Sequence, residues 1–171
     1  MSNELHSPNA WERLWAPHRK EYLVEHAGNF TDETCPFCLA LDMSDEDGLV
    51  VVRRPLAYVV LNKYPYASGH ILVCTTRHVP MYDELAGDEI AAIGELTQEA
   101  MRTLREVTNC SGFNIGLNQG SVAGAGVAGH LHQHIVPRWT ADSNFMPIIG
   151  HTKVMPELLE TTRTLLSEAW H

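Results

Sequence analysis

His130-Leu131-His132-Gln133-His134-Ile135-Val136 sets three histidines at strict two-residue spacing. In an extended strand, residues two apart point to the same face. The three imidazoles therefore line one face, and Leu131, Gln133 and Ile135 take the other. One such histidine reads as a satisfied, partly buried core residue. Three in alternation, next to a glycine-rich loop, read as a chemical site. Geometry disfavours one metal shared by all three. At about 3.3 Å rise per residue the outer Cα atoms lie roughly 13 Å apart, whereas zinc–nitrogen bonds are about 2.0–2.1 Å. One outer histidine can bind a metal while the other two do other work.

That other work is nucleophilic catalysis. Neutral imidazole is a good nucleophile near neutral pH because its pKa is about 6.5. It can attack phosphorus, form a phosphoramidate and split one hard displacement into two easier ones. The attacking nitrogen must be unprotonated, which a backbone carbonyl bonded to the other nitrogen secures. A second histidine on the same face can donate to phosphate oxygens. The loop from Gln119 to Gly129 reads Gln-Gly-Ser-Val-Ala-Gly-Ala-Gly-Val-Ala-Gly. Small residues let backbone N–H groups approach a phosphate. Most glycine-rich loops are turns, but beside the histidines this one reads as an anion cradle. It is not a Walker loop, because no Gly-Lys-Ser/Thr follows.

Further out, Val50-Val51-Val52 and Tyr58-Val59-Val60-Leu61 are β-branched or aromatic runs broken by Arg53-Arg54-Pro55, which predicts a hairpin. Pro65 and Gly69 bracket a turn, and His70 to Thr75 predicts a third strand. Leu85, Ile90, Ile93, Leu96, Ala100, Met101, Leu104 and Val107 predict one long amphipathic helix between Glu84 and Val107. Asn109 and Gly112 end it. Phe113 to Leu117 and His130 to Pro137 are the fourth and fifth strands, and a last helix runs from about 156 to 169. Residues 31–48 predict a loop, and residues 10–24, with Trp11, Trp15 and Tyr22, a short helix or packing arm. The class is α+β: an antiparallel sheet of about five strands, one long helix and a C-terminal helix.

The 171 residues, 44% apolar and 19% charged, suit one folded domain. Twelve basic against twenty-one acidic residues, net −9, exclude a broad nucleic-acid surface. No apolar run reaches the roughly 18–20 residues of a membrane span, and the polar segment from Met1 to Ala10 carries no secretory signal. The expected setting is cytoplasmic, with no membrane partner and reduced thiols. Cys74 and Cys110 read as small buried apolar side chains. Cys35-Pro36-Phe37-Cys38 is half a structural zinc site; a redox Cys-x-x-Cys needs a βαβ context that is not visible.

With Leu14-Trp15-Ala16-Pro17, Leu61-Asn62-Lys63-Tyr64-Pro65, Gly69-His70-Ile71-Leu72-Val73, Arg77-His78-Val79 and Pro137-Arg138-Trp139, the chain resembles the histidine triad (HIT) superfamily from about residue 13 onward. Pro-Arg-Trp and Asn144-Phe145-Met146-Pro147 resemble its bacterial diadenosine tetraphosphate phosphorylases. The resemblance implies a single HIT-like domain over 1–171, with an arm at 1–34, a core at 35–139 and an extension at 140–171. It implies that His132 is the nucleophile and His134 a phosphate contact. Asn62 would bond the ribose. Asn118 would contact phosphate or position the leaving group, with Gln119 beside it. Gly124, Ala125 and Gly126 would supply loop donors, in a loop one residue longer than in many relatives. Trp139 would close the site.

Cys35, Cys38, His78 and His130 would complete a structural Zn²⁺ tetrahedron. The implied partners are a small-molecule nucleotide and a second copy in a homodimer with a continuous sheet. The expected activity is nucleotidyl transfer at the α-phosphate of a dinucleoside polyphosphate, by a phosphorylase or a hydrolase. Two alternatives stand beside it: a nucleoside phosphoramidate hydrolase using the same histidine, and a zinc-stiffened nucleotide-binding module without turnover. His6, His18, His26, His70, His151 and His171 read as structural.

Overall fold

A computed structural model describes residues 30–142 and 157–171. The arm around Leu14-Trp15-Ala16-Pro17 and the segment Asn144-Phe145-Met146-Pro147 lie outside the described residues. The strands are β1 (Val50–Arg53), β2 (Ala57–Leu61), β3 (Ile71–Thr75), β4 (Gly112–Leu117) and β5 (His132–Arg138). They form one antiparallel sheet in the order β1-β2-β3-β5-β4. The helices are α1 (Pro36–Asp42), α2 (Gly87–Thr108) and α3 (Leu159–Glu168).

Strand alternation sorts the side chains into two layers. Val59, Leu61, Ile71, Val73, Leu131 and Ile135 join Ile93, Leu96, Ala100 and Leu104 of α2 and Leu166 of α3 in the main core. Gln133 falls on this face, and its amide donates to Thr97 Oγ1 at 2.7 Å, so burying it leaves no orphan donor. The opposite face carries Val50, Tyr58, Val60, Leu72 and Cys74, covered by Ala40, Phe37 and Leu41 of α1. The histidines stand on that second face, since His132 pairs with Cys74 and His134 with Leu72.

Several boundaries differ from the sequence reading: β5 runs over His132–Arg138, so His130 precedes it, and α3 over Leu159–Glu168. Residues 31–48 are not all loop, because α1 occupies Pro36–Asp42. A seven-residue helix is too short to persist alone. It is held from outside by Arg53, which donates to Ala40 O (3.1 Å), Leu41 O (2.8 Å) and Met43 O (3.0 Å). Arg53 reaches that face because the β1–β2 register shifts between Val50 and Val52. The long helix starts at Gly87, after a 3₁₀ turn at Tyr82–Glu84. Ile90 is exposed, about 100° round from buried Glu89. Asn109 closes the helix at φ 51°, while Gly112 opens β4 instead of ending α2.

Candidate functional site

At one end of the histidine row, α1 presents two thiols. Cys38 Sγ lies 3.2 Å from His78 Nδ1 and 3.4 Å from His130 Nδ1, and Cys35 Sγ is 3.4 Å from His130 Nδ1. All four donor atoms lie within 4.8 Å of one another, so the group can hold a metal ion. A zinc tetrahedron with bonds of about 2.3 Å to sulfur and about 2.0 Å to nitrogen sets sulfur and nitrogen about 3.5 Å apart, which this cluster matches. His130 Nε2–H donates to Thr75 O at 2.8 Å, which fixes the tautomer and turns the Nδ1 lone pair toward the sulfurs. Burial lowers the His130 pKa to about 4, keeping the ring neutral as a ligand must be. Burial first, and then neighbouring Cys35, push the Cys38 thiol up to about 12. Without a cation Cys38 resists the thiolate form. Gly129 makes room for the cluster, since a Cβ there would sit 3.2 Å from His78 Nε2.

Two residues on, His132 is buried and its Nδ1–H donates to His130 O at 2.7 Å. Nε2 therefore carries the lone pair. Burial lowers the pKa of this ring against the opposing pull of that bond, so the imidazole is neutral. The His134 ring lies 5.2 Å from that of His132. Tyr66 N–H donates to His70 Nδ1 at 3.0 Å, so the His70 proton sits on Nε2, 2.9 Å from His134 Nδ1. His134 consequently holds its own proton on Nε2, the form that donates to an anion. Sequence reasoning set His70 aside as structural. Its partner is 64 positions away, and strand pairing alone brings them together.

Asn62 follows β2 on the histidine face. Its Oδ1 accepts Tyr64 N–H at 2.9 Å, and its Nδ2 lies 3.3 Å from His70 Nδ1. Asn118 lies one residue past the Leu117–Gln133 pair, so alternation carries it to the histidine face opposite His132. Gln119 Oε1 accepts Tyr82 N–H at 2.6 Å, tying the glycine loop to the turn before α2.

Two expected placements are corrected. Gly124 N–H bonds Ser121 O (3.0 Å) and Ala125 N–H bonds Gly120 O (3.3 Å), so a 3₁₀ turn at Ser121–Ala123 consumes both amides. Of the three expected loop donors, only the Gly126 N–H has no such bond among the described residues. Trp139 does not close the site of its own chain. It packs on the main core, and its indole N–H donates to Thr108 O at 3.1 Å, at the end of α2. Odd-numbered positions of β5 face the helices, and Trp139 keeps that parity. Sequence reasoning also passed over Phe37, whose ring lies 4.7 Å from that of His132. The signal available was its place between the two cysteines.

The HIT domain family profile matches residues 44–141. A Mycobacterium tuberculosis protein named AP-4-A phosphorylase is 44% identical over 164 residues, covering 93% of this chain and 84% of its own length. A Zn-bound histidine triad family protein from Mycobacterium smegmatis superposes with a TM-score of 0.65 at 23% identity, covering 81% of this chain and 94% of its own. A hypothetical histidine triad nucleotide-binding protein from Sulfolobus tokodaii gives 0.64 at 26% identity, covering 79% and 91%.

Proposed function

The chain belongs to the HIT domain family, and from that membership we propose that it cleaves dinucleoside polyphosphates by nucleotidyl transfer through His132. It is an enzyme of that family. The observation that carries the reading is the buried His132 imidazole, with Nδ1–H spent on His130 O and a lone pair on Nε2. Nε2 attacks the α-phosphorus and a nitrogen–phosphorus bond forms. The bond from phosphorus to the bridging oxygen breaks, and the nucleoside polyphosphate leaves with that electron pair. His134 donates from Nε2 to the phosphate oxygens. The acceptor then attacks phosphorus, and the nitrogen–phosphorus bond breaks with its electron pair returning to His132. Asn62 holds the ribose, while Asn118 and the Gly126 N–H flank the phosphates. Positioning and charge stabilisation supply the catalysis.

Phosphate as acceptor turns diadenosine tetraphosphate into ATP and ADP; water gives ATP and AMP. The identity to a protein named AP-4-A phosphorylase favours phosphate. Cys35, Cys38, His78 and His130 hold zinc in this reading, and with four protein ligands the metal serves structure. A thiol-held metal suits a reducing, cytoplasmic setting. No helix among the described residues is long and apolar enough to cross a membrane. A homodimer forms along β4, an edge strand of the sheet on which Ile115 is exposed.

The test incubates the pure protein with diadenosine tetraphosphate, with and without inorganic phosphate, and separates the nucleotides. ATP plus ADP appearing only with phosphate is the expected result. ATP plus AMP in both tubes makes water the acceptor. No turnover in either tube sinks the reading and leaves phosphoramidates as the next substrates. Metal analysis of protein purified without chelators should find one zinc per chain, and under half an equivalent refutes the zinc assignment.

A further inference from the structure

We propose that Phe37 is a positioning residue that carries the geometry of the metal knuckle to the His132 ring. The metal then helps aim the nucleophile as well as tying down the chain. Phe37 stands between the two thiol ligands on α1. Its ring meets that of His130 edge-on, at 5.4 Å and 64°, and that of His132 at 4.7 Å and 40°. One ring therefore touches a metal ligand and the nucleophile together. The bond from His132 Nδ1–H to His130 O holds one corner of the imidazole. A ring held at one corner can still rock, and a packed neighbour limits that motion.

Phe37 is itself firmly seated. Its carbonyl accepts the Tyr58 hydroxyl at 2.7 Å. Cys35 and Cys38 flank it, and Arg53 holds the far end of the same short helix. A displacement at the sulfurs moves this helix as a unit and presses on His132 through the phenyl ring. The inference rests on His132 being the nucleophile and on the four-ligand site.

Two routes lead from the metal to His132: the phenyl ring, and the backbone through His130 O. The experiment separates them in the full chain. Histidines are labelled with ¹³C at Cε1, zinc is exchanged for cadmium, and spectra of both loaded forms are compared. Cadmium makes longer bonds to sulfur and shifts the knuckle while keeping it closed. A His132→Asn variant assigns the signal. In the wild type the His132 signal should move on exchange. In Phe37→Ala the His130 signal should still move while the His132 displacement is largely lost. Phe37→Leu, which keeps an apolar side chain and serves if the alanine variant does not fold, should fall between.

Turnover should follow the spectra. In Phe37→Ala kcat should fall on the order of tenfold, as a misaimed reacting group does, with a smaller change in KM and recovery in Phe37→Tyr. A His132 signal that ignores the metal in the wild type overturns the proposal. So does a displacement that persists in both Phe37→Ala and Phe37→Leu, which assigns the coupling to the backbone. A raised KM with kcat intact makes Phe37 a substrate contact and overturns the positioning role. Absence of wild-type turnover would remove the proposed reaction instead, and the spectra would still report on the contact.

Discussion

His132 is held in one tautomer by a bond that spans two residues, from its own Nδ1–H to His130 O. The carbonyl belongs to His130, whose ring joins the candidate metal cluster, so the proposed nucleophile and that cluster fall within three consecutive positions. His132→Ala should lower turnover of diadenosine tetraphosphate by at least about 10³-fold. The thermal midpoint should stay near that of the wild type, since His130 and the thiols are untouched; near-full turnover in the variant would refute the mechanism. Gly129 is the second sensitive residue. Its Cβ would stand 3.2 Å from His78 Nε2 and 3.4 Å from Phe30 O, so the ring must yield. Gly129→Ala should weaken zinc binding roughly tenfold, in the range seen when a ligand's support is disturbed. Competition against a chromophoric chelator measures this, and unchanged affinity would show that His78 can shift without cost.

The connection from β3 into α2 is fastened by one buried acid. Glu89 accepts Arg77 Nε–H at 2.9 Å, a second Arg77 N–H at 2.7 Å and Ala86 N–H at 2.8 Å. The hydrogen bonds from Arg77 first, and then that from Ala86, hold its carboxyl below the ordinary carboxylate range. A lowered folded-state pKa adds stability above the unfolded value of about 4.3, and that stability is lost as pH falls through the folded pKa. Glu89→Gln should therefore cost about 1–3 kcal/mol at neutral pH. It should also flatten the acid limb of the stability curve, read as urea midpoints across pH. An acid limb as steep as the wild type's would assign it to other groups. The same scale explains why α1 escaped the sequence reading. Cys-Pro and the acidic run from Asp42 to Asp47 look like turn chemistry, and the contacts that hold the helix come from a shifted strand and from distant histidines.

Across the whole molecule, the sheet separates two tasks. One face is an apolar layer under α2 and α3, and the other carries His132 and His134 beneath α1, which brings the two thiols. Joining a second sheet along β4 would leave both faces free for those tasks. Ile115→Arg on the exposed β4 edge should convert a dimer to a monomer in sedimentation analysis, because a charge on an edge strand opposes pairing. A wild-type chain that sediments as a monomer across a wide concentration range would dismiss the dimer outright.

The strands, the long helix and the histidine row were legible in the sequence because each rests on local periodicity. A period of two sorts β5 into a histidine face and a helix face, and apolar recurrence marks α2. The Cys-x-x-Cys pair was legible for the same local reason, and its partners at His78 and His130 only through resemblance. Tertiary structure alone decided the His70–His134 bond, the contact between Phe37 and His132 and the packing of half-buried Trp139 against the core. It also decided that two loop amides are spent within their own turn. The His70–His134 bond depends on β3 lying beside β5, and the seat of Phe37 on a register shift in β1. Strand neighbours and register are set by the packing of the entire sheet, which no short window of sequence contains.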